Sequence, residues 1–152
     1  NANFYSDVWL HPLKITLPVE GLGDVTIAPE TDPYELLKLG TYVDSCLAAW
    51  SFNAHNAVAV HLDINKRVLF ARNAKGHFLG RQIVAISKQN ALACHSVYPR
   101  SAPKPLQDLF ALYNEDLAMQ LAIPIAKYDD YTHTVEPVVV RQWYDDGLWD
   151  RF

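Results

Sequence analysis

Apolar and polar residues alternate through Leu13-Lys14-Ile15-Thr16-Leu17, the pattern of a half-buried strand. The alternation breaks at Pro18 and Gly21-Leu22-Gly23-Asp24 and resumes in Val25-Thr26-Ile27. The two pieces read as a hairpin or as two short edge strands. The glycines between them suit a turn, because no helix with a phosphate-binding signature follows. Thr31-Asp32-Pro33 has the chemistry of a helix start: Thr31 or Asp32 caps, Pro33 fits the first position, and Glu35 complements the positive end. Leu36, Leu39, Val43, Cys46 and Leu47 recur at helical spacing and predict a helix from Pro33 to about Trp50, slightly weakened by Gly40. The stretch from Asn53 to Leu62 fits helix or strand; Asn53 as a cap favours a short helix.

Asp63-Ile64-Asn65-Lys66 reads as a turn, and Arg67 to Arg72 as a strand rich in Val, Leu and Phe. Asn73-Ala74-Lys75-Gly76 is a hairpin loop with Gly where positive φ is needed. His77 to Ser87 returns, Lys88-Gln89-Asn90 turns again, and Ala91 to Tyr98 completes a three-stranded antiparallel meander. A helix from Pro105 to Leu121 follows, its apolar face made by Leu106, Leu109, Phe110, Tyr113, Leu117, Met119 and Leu121 and its end set by Pro124. Val135 to Gln142 reads as a last strand, with Pro137 pointing to an edge or a bulge. This order predicts an α+β domain: a mainly antiparallel sheet, two helices before the meander and one long helix after it.

Composition narrows the classes. The 152 residues amount to one ordinary domain, and 50% hydrophobic content makes it globular. A net charge of -4 argues against a nucleic-acid binder. No apolar run approaches the roughly 20 residues that cross a bilayer. Two cysteines, Cys46 and Cys94, are too few for a disulfide scaffold and point to a thiol-keeping, cytoplasmic setting. Asn1-Ala2-Asn3-Phe4 shows neither an initiator Met nor a signal pattern, so residues 1–152 read as a single domain taken from a longer chain.

Two phrases carry a resemblance. "RVLFARNAKGHFLGRQIVAI" is similar to the paired strands around a glycine hairpin in the GNAT acyltransferase superfamily. "SVYPRSAPKPLQDLF" resembles that family's strand-to-helix junction. The resemblance covers residues from about 31 to about 142, in element order more than in identity. It implies that the junction holds the pyrophosphate of acetyl-coenzyme A or another acyl-coenzyme A, with Val97, Arg100, Ser101 and Lys104 as binding residues and His95 or Tyr98 as candidate bases. Unpaired N–H groups and the dipole make a helix start a natural phosphate site. This chain departs from the family there. Ser101-Ala102-Pro103-Lys104-Pro105 stands where glycines are expected, and each proline removes a donor. The junction therefore binds an anion through Arg100 and Lys104, or it simply starts a helix.

Other constellations are weaker. Cys46 with His55, His61 or His95 would make a nucleophilic pair and a thiol hydrolase, yet its spacing with Leu39, Val43 and Leu47 marks a core position. Cys94 and His95 are adjacent on a strand and point to opposite faces, and no short ligand pair exists, so no metal site is expected. Gly80 inside a strand signals a bulge or a close backbone approach, and Arg81 reads as a surface cation. The tail "WYDDGLWDRF" either packs on the sheet or offers a protein partner an aromatic edge. The leading readings differ in class: a GNAT-like acyl-coenzyme A-binding enzyme, or a non-catalytic binding or accessory module of a larger protein. The enzyme predicts an open cleft between the third meander strand and the strand near Val138-Val139-Val140, with Arg100 and Lys104 at its mouth.

Overall fold

The computed structural model describes residues 7–11, 13–126 and 133–138. A helical turn over 7–10 precedes β1 (Ile15–Val19) and β2 (Gly23–Pro29). There follow α1 (Pro33–Leu37), a 3-10 turn (Thr41–Val43), α2 (His55–Leu62), β3 (Lys66–Asn73), β4 (Phe78–Ile86), β5 (Leu92–Cys94) and α3 (Lys104–Leu121). The five strands form one antiparallel sheet in the order β1-β2-β3-β4-β5. The domain is α+β, with its long helix after the strands.

Alternation along the central strands divides the core in two. Val68 and Phe70 of β3 with Ile83 and Ala85 of β4 face α1 and α2, where Leu36, Leu39, Leu47 and Val60 meet them. Leu69, Ala71 and Val84 face α3 and pack on Leu106, Phe110, Tyr113 and Leu117. Both faces of β3 and β4 are covered, so these strands read as continuous apolar runs instead of alternating ones. The hairpin loop behaves as its sequence demands: Gly76 has φ of 81°, and Asn73 Oδ1 accepts from the N–H of Lys75 and of His77 at 3.0 Å each. Asp32 caps α1, accepting from the Tyr34 N–H at 2.8 Å. Pro18 lies inside β1 instead of ending it; β1 is an edge strand, where a missing donor is tolerated.

Several expected boundaries are corrected. The helix predicted from Pro33 to about Trp50 ends at Leu37, and the chain then folds back through the 3-10 turn and further turns. Leu39 and Leu47 share a core because the loop doubles over, not because a helix aligns them. The next helix begins at His55, not at an Asn53 cap; the Asn53 carbonyl accepts from the Asn56 N–H at 3.0 Å. The third meander strand is regular only over Leu92–Cys94. Arg81 is not a surface cation: it is 1% exposed. Residues 135–138 of the expected strand from Val135 to Gln142 are irregular, and just before them the Lys88 N–H donates to the Thr134 carbonyl at 2.8 Å. Its remainder and the aromatic tail lie outside the described residues. Among the described residues, no helix is long and apolar enough to cross a membrane.

The end of α3 is closed before Pro124. Ala122 takes a left-handed conformation (φ 54°, ψ 39°), and the Ile123 N–H returns to the Ala118 carbonyl at 3.1 Å. Glycine suits this position better than alanine, whose Cβ crowds the following carbonyl. Ala122→Gly is therefore expected to stabilise the domain by about 1 kcal/mol, read from the midpoint of urea unfolding.

Candidate functional site at the junction of β5 and α3

β5 and β4 pair Val84 with Cys94, but the next bridge joins Arg81 to Tyr98. The register moves by one residue between them, so Ser96 and Val97 share the space opposite Gln82. An extra residue of this kind bends a strand and re-aims its side chains. Gly80 allows the return: a Cβ there would lie 2.8 Å from the Tyr98 carbonyl oxygen, so the expected close backbone approach is real. Two guanidiniums meet the Tyr98 ring. Arg81 stacks on it at 4.3 Å, while the side chain of Arg100 sits 5.3 Å from its centroid and donates to its hydroxyl from Nε at 3.3 Å and Nη2 at 3.2 Å. Arg81 is held from behind, donating from Nε to the Leu39 carbonyl and from Nη2 to Ser45 Oγ, each at 3.2 Å.

Pro103 occupies the cap position of α3 and makes no side-chain cap. Of the first-turn donors, Pro105 has none, and Leu106 and Gln107 both donate to the Pro103 carbonyl. A backbone cradle for a phosphate is thus reduced to the Lys104 N–H. The charged side chains remain: Arg100 and Lys104 are exposed at the residue level, and Lys104 pairs with Asp108 one turn on. Ser101 is exposed and Val97 half-buried beside them.

Behind the junction is a cavity of about 360 Å³, bounded by Gln82 of β4, His95 and Val97 after β5, Arg100, and Gln107 and Asn114 of α3. It has a polar floor. Asn114 Nδ2 donates to Gln82 Oε1 at 2.9 Å, and Gln82 Nε2 donates to the His95 carbonyl at 2.8 Å. Asn114 Oδ1 is buried and accepts no hydrogen bond. Gln107 Nε2 donates to the Ala102 carbonyl at 2.7 Å and ties the helix to the junction.

Beyond α3 the chain returns to β5. The Leu92 N–H donates to the Pro124 carbonyl at 2.8 Å and the Ala126 N–H to the Leu92 carbonyl at 2.9 Å, a parallel bridge of Leu92 to Ile125. Beyond Leu92, no described backbone pairs with the outer edge of β5. Of the segment expected to flank that edge, the described residues 133–138 are tied to the turn before β3, where the Val138 N–H donates to Asp63 Oδ2 at 3.2 Å, and Val139 and Val140 lie outside the described residues.

Compared with protein-family models and with curated sequences, the chain matches none.

Of the predicted site residues, the structure brings His95, Val97, Tyr98, Arg100, Ser101 and Lys104 into one neighbourhood. His95 is 4% exposed and Tyr98 is buried, so each candidate base lies beneath the surface. Cys46 stands apart, half-buried and packed against the cluster of Leu39 and Leu47. Neither cysteine is in a disulfide. Burial pushes the Cys94 thiol up to about 12, which leaves it protonated and weakly nucleophilic at neutral pH. Gln82, Gln107 and Asn114 went unpredicted. Two of them left a signal: Asn114 falls in the buried stripe of Phe110, Tyr113 and Leu117, and Gln82 interrupts an apolar strand. A polar residue in a core position is worth asking about.

Proposed function

We propose that this domain binds an acyl-coenzyme A at the junction of β5 and α3, in the manner of the GNAT acyltransferases. The observation that carries the reading is the parting of β5 from the segment after α3: beyond the parallel bridge of Leu92 to Ile125, the outer edge of β5 is unpaired among the described residues. An open edge offers backbone groups to an extended amide chain, and a guanidinium offers a fork to a pyrophosphate. Arg100 and Lys104 take over the role that backbone amides cannot fill. In the enzymatic form, an amine nitrogen attacks the thioester carbonyl, the C–S bond breaks, the coenzyme thiol departs and the amine gives up a proton. A cytosolic, thiol-keeping setting agrees with this ligand.

A second reading, a non-catalytic binding module on the same scaffold, is favoured by one observation. Both candidate bases, His95 and Tyr98, are buried, and the Tyr98 ring is in contact with both Arg81 and Arg100. Titration calorimetry with acetyl-coenzyme A separates binding from its absence, and amine acylation assayed on the same sample separates the two readings. Saturable binding is expected, weakened about tenfold or more in Arg100→Ala, since a charge-assisted phosphate contact contributes roughly 1.5–3 kcal/mol. No heat at millimolar coenzyme would remove the proposal.

A further inference from the structure

A groove of about 600 Å³ separates β1 from α3, at the opposite edge of the sheet from the junction. One wall is β1. Ile15 and Leu17 face α3, while Thr16 turns to the other face, where its Oγ1 shares a hydrogen bond of 2.8 Å with Thr26 Oγ1. Thr16 therefore borders the groove through its main chain. Pro18 has no N–H to give β2, yet the pairing runs unbroken from Ile15 to Val19. Pro18 must then sit where its nitrogen faces away from β2, and by the two-residue alternation the Thr16 N–H and carbonyl face outward too. Among the described residues, no backbone group pairs with this edge. The other wall is a stripe of α3: Leu112, Glu115, Asp116 and Met119, at i, i+3, i+4 and i+7. Met119 belongs to the apolar face expected from the sequence, but it is 72% exposed, and Leu112 is 48% exposed. Glu115 and Asp116 lie between them. Asp116 accepts from Gln120 Nε2 at 3.2 Å, and neither acid has a cation within salt-bridge distance among the described residues.

We propose that this groove takes an extended segment of a partner protein, added as a strand outside β1, with a basic residue flanked two positions away on each side by large apolar ones. The segment's main chain meets the outward N–H and carbonyl of Thr16, the usual source of affinity in strand addition. Its alternate side chains then point down onto α3. The stripe from Leu112 to Met119 spans about 10 Å of helix, and five residues of a strand span about 13 Å. Three alternate side chains thus match the order apolar, acidic, apolar. The two uncompensated carboxylates make the middle one Lys or Arg. A second copy paired β1 to β1 fits less well, because it would bring its own Glu115 and Asp116 to the same seam. The proposal shares no residue with the coenzyme reading and does not depend on it.

The probe is a fluorescent peptide, acetyl-Thr-Leu-Thr-Arg-Thr-Leu-Thr-amide, titrated with the intact chain and followed by anisotropy. Saturable binding is expected, and the same peptide with Glu in the middle should bind at least tenfold more weakly. Glu115→Lys combined with Asp116→Lys should reverse that preference; both positions lie off the buried face of α3, and an unchanged dichroism spectrum verifies the fold. Two further peptides test the strand geometry, one N-methylated at every Thr and one at the Leu and Arg residues. In an added strand only one of these sets points its N–H groups at β1, so one peptide should lose binding and the other keep it. No binding of the first peptide at millimolar concentration overturns the proposal. Equal affinity for the Arg and Glu peptides does so on the unmodified protein, whether or not the variant folds. Equal effects of the two methylation patterns overturn it as well. A dimer in sedimentation that Leu17→Lys dissociates would seat a second copy in the groove and do the same.

Discussion

Replacing Lys66 with alanine is expected to destabilise the domain by about 3–5 kcal/mol, the cost of stranding one member of a buried ion pair. The Lys66 and Asp63 side chains are both 0% exposed and meet at 2.7 Å. The ammonium directs its three protons to Asp63 Oδ2, to Asn65 Oδ1 at 2.9 Å and to the Glu136 carbonyl at 3.0 Å. Asp63 Oδ2 also accepts from the Val138 N–H at 3.2 Å. The pair therefore joins the turn before β3 to residues 133–138. Without Lys66 the Asp63 carboxylate stays in the core uncompensated, and the Glu136 carbonyl loses a donor. Urea unfolding measures the loss. Asp63→Ala should cost about as much, while the joint change Lys66→Met with Asp63→Leu should recover most of it, since a buried pair is often replaceable by apolar side chains. A loss under about 1 kcal/mol in the single variant would mean that water reaches the pair, as it does at exposed bridges.

How far the sequence reveals this molecule depends on how local each cause is. The hairpin at Gly76, the Asp32 cap and the long apolar face of α3 are local, and each is legible. Arg81 misleads because what buries it comes from distant segments: the Leu39 carbonyl, the Ser45 hydroxyl and the Tyr98 ring. No local pattern announces a cation in the core. The candidate site divides in the same way. Arg100, Ser101 and Lys104 are consecutive enough to be seen as a basic junction, and they do sit together. The floor of the cavity is assembled from β4, the end of β5 and the middle of α3, with Gln82 and Asn114 separated by 32 positions. A polar residue inside an apolar run hints that something is there, but its partner is known only once the strands and the helix are docked. The described start of the expected last strand is irregular for a related reason. Val135 and Val138 suggest a strand, but the side chains of Asn65 and Lys66 take the Glu136 carbonyl that a ladder would use.

Gly40→Ala is the sharpest test of the segment that sequence periodicity misreads. In a continuous helix from Pro33 to Trp50 this exchange would stabilise the protein by about 1 kcal/mol, because alanine is the better helix former. In the structure the sign reverses. Gly40 has ordinary right-handed geometry (φ -85°, ψ -34°), so conformational freedom is not its purpose. Space is: a Cβ would fall 2.1 Å from the Leu47 carbonyl carbon, 2.3 Å from its oxygen and 2.4 Å from the Ala48 nitrogen. All three are backbone atoms, which cannot rotate aside as a side chain would. The turn is closed around the same glycine, whose carbonyl accepts from the Ser45 N–H at 3.0 Å. One added methyl must part Gly40 from Leu47, both of which adjoin the buried Leu39 and Ala48. The expected loss is about 3 kcal/mol or more, at or beyond the top of the usual overpacking range. The damage should also reach the candidate site. Parting the loop withdraws the Leu39 carbonyl and the Ser45 hydroxyl from Arg81, and with them the support for the ring that Arg81 shares with Arg100. Gly40→Ala is therefore expected to lower the urea midpoint and to weaken the near-ultraviolet dichroism of the tyrosines. A stabilised variant with an unchanged spectrum would restore the long helix and remove the loop that buries Arg81.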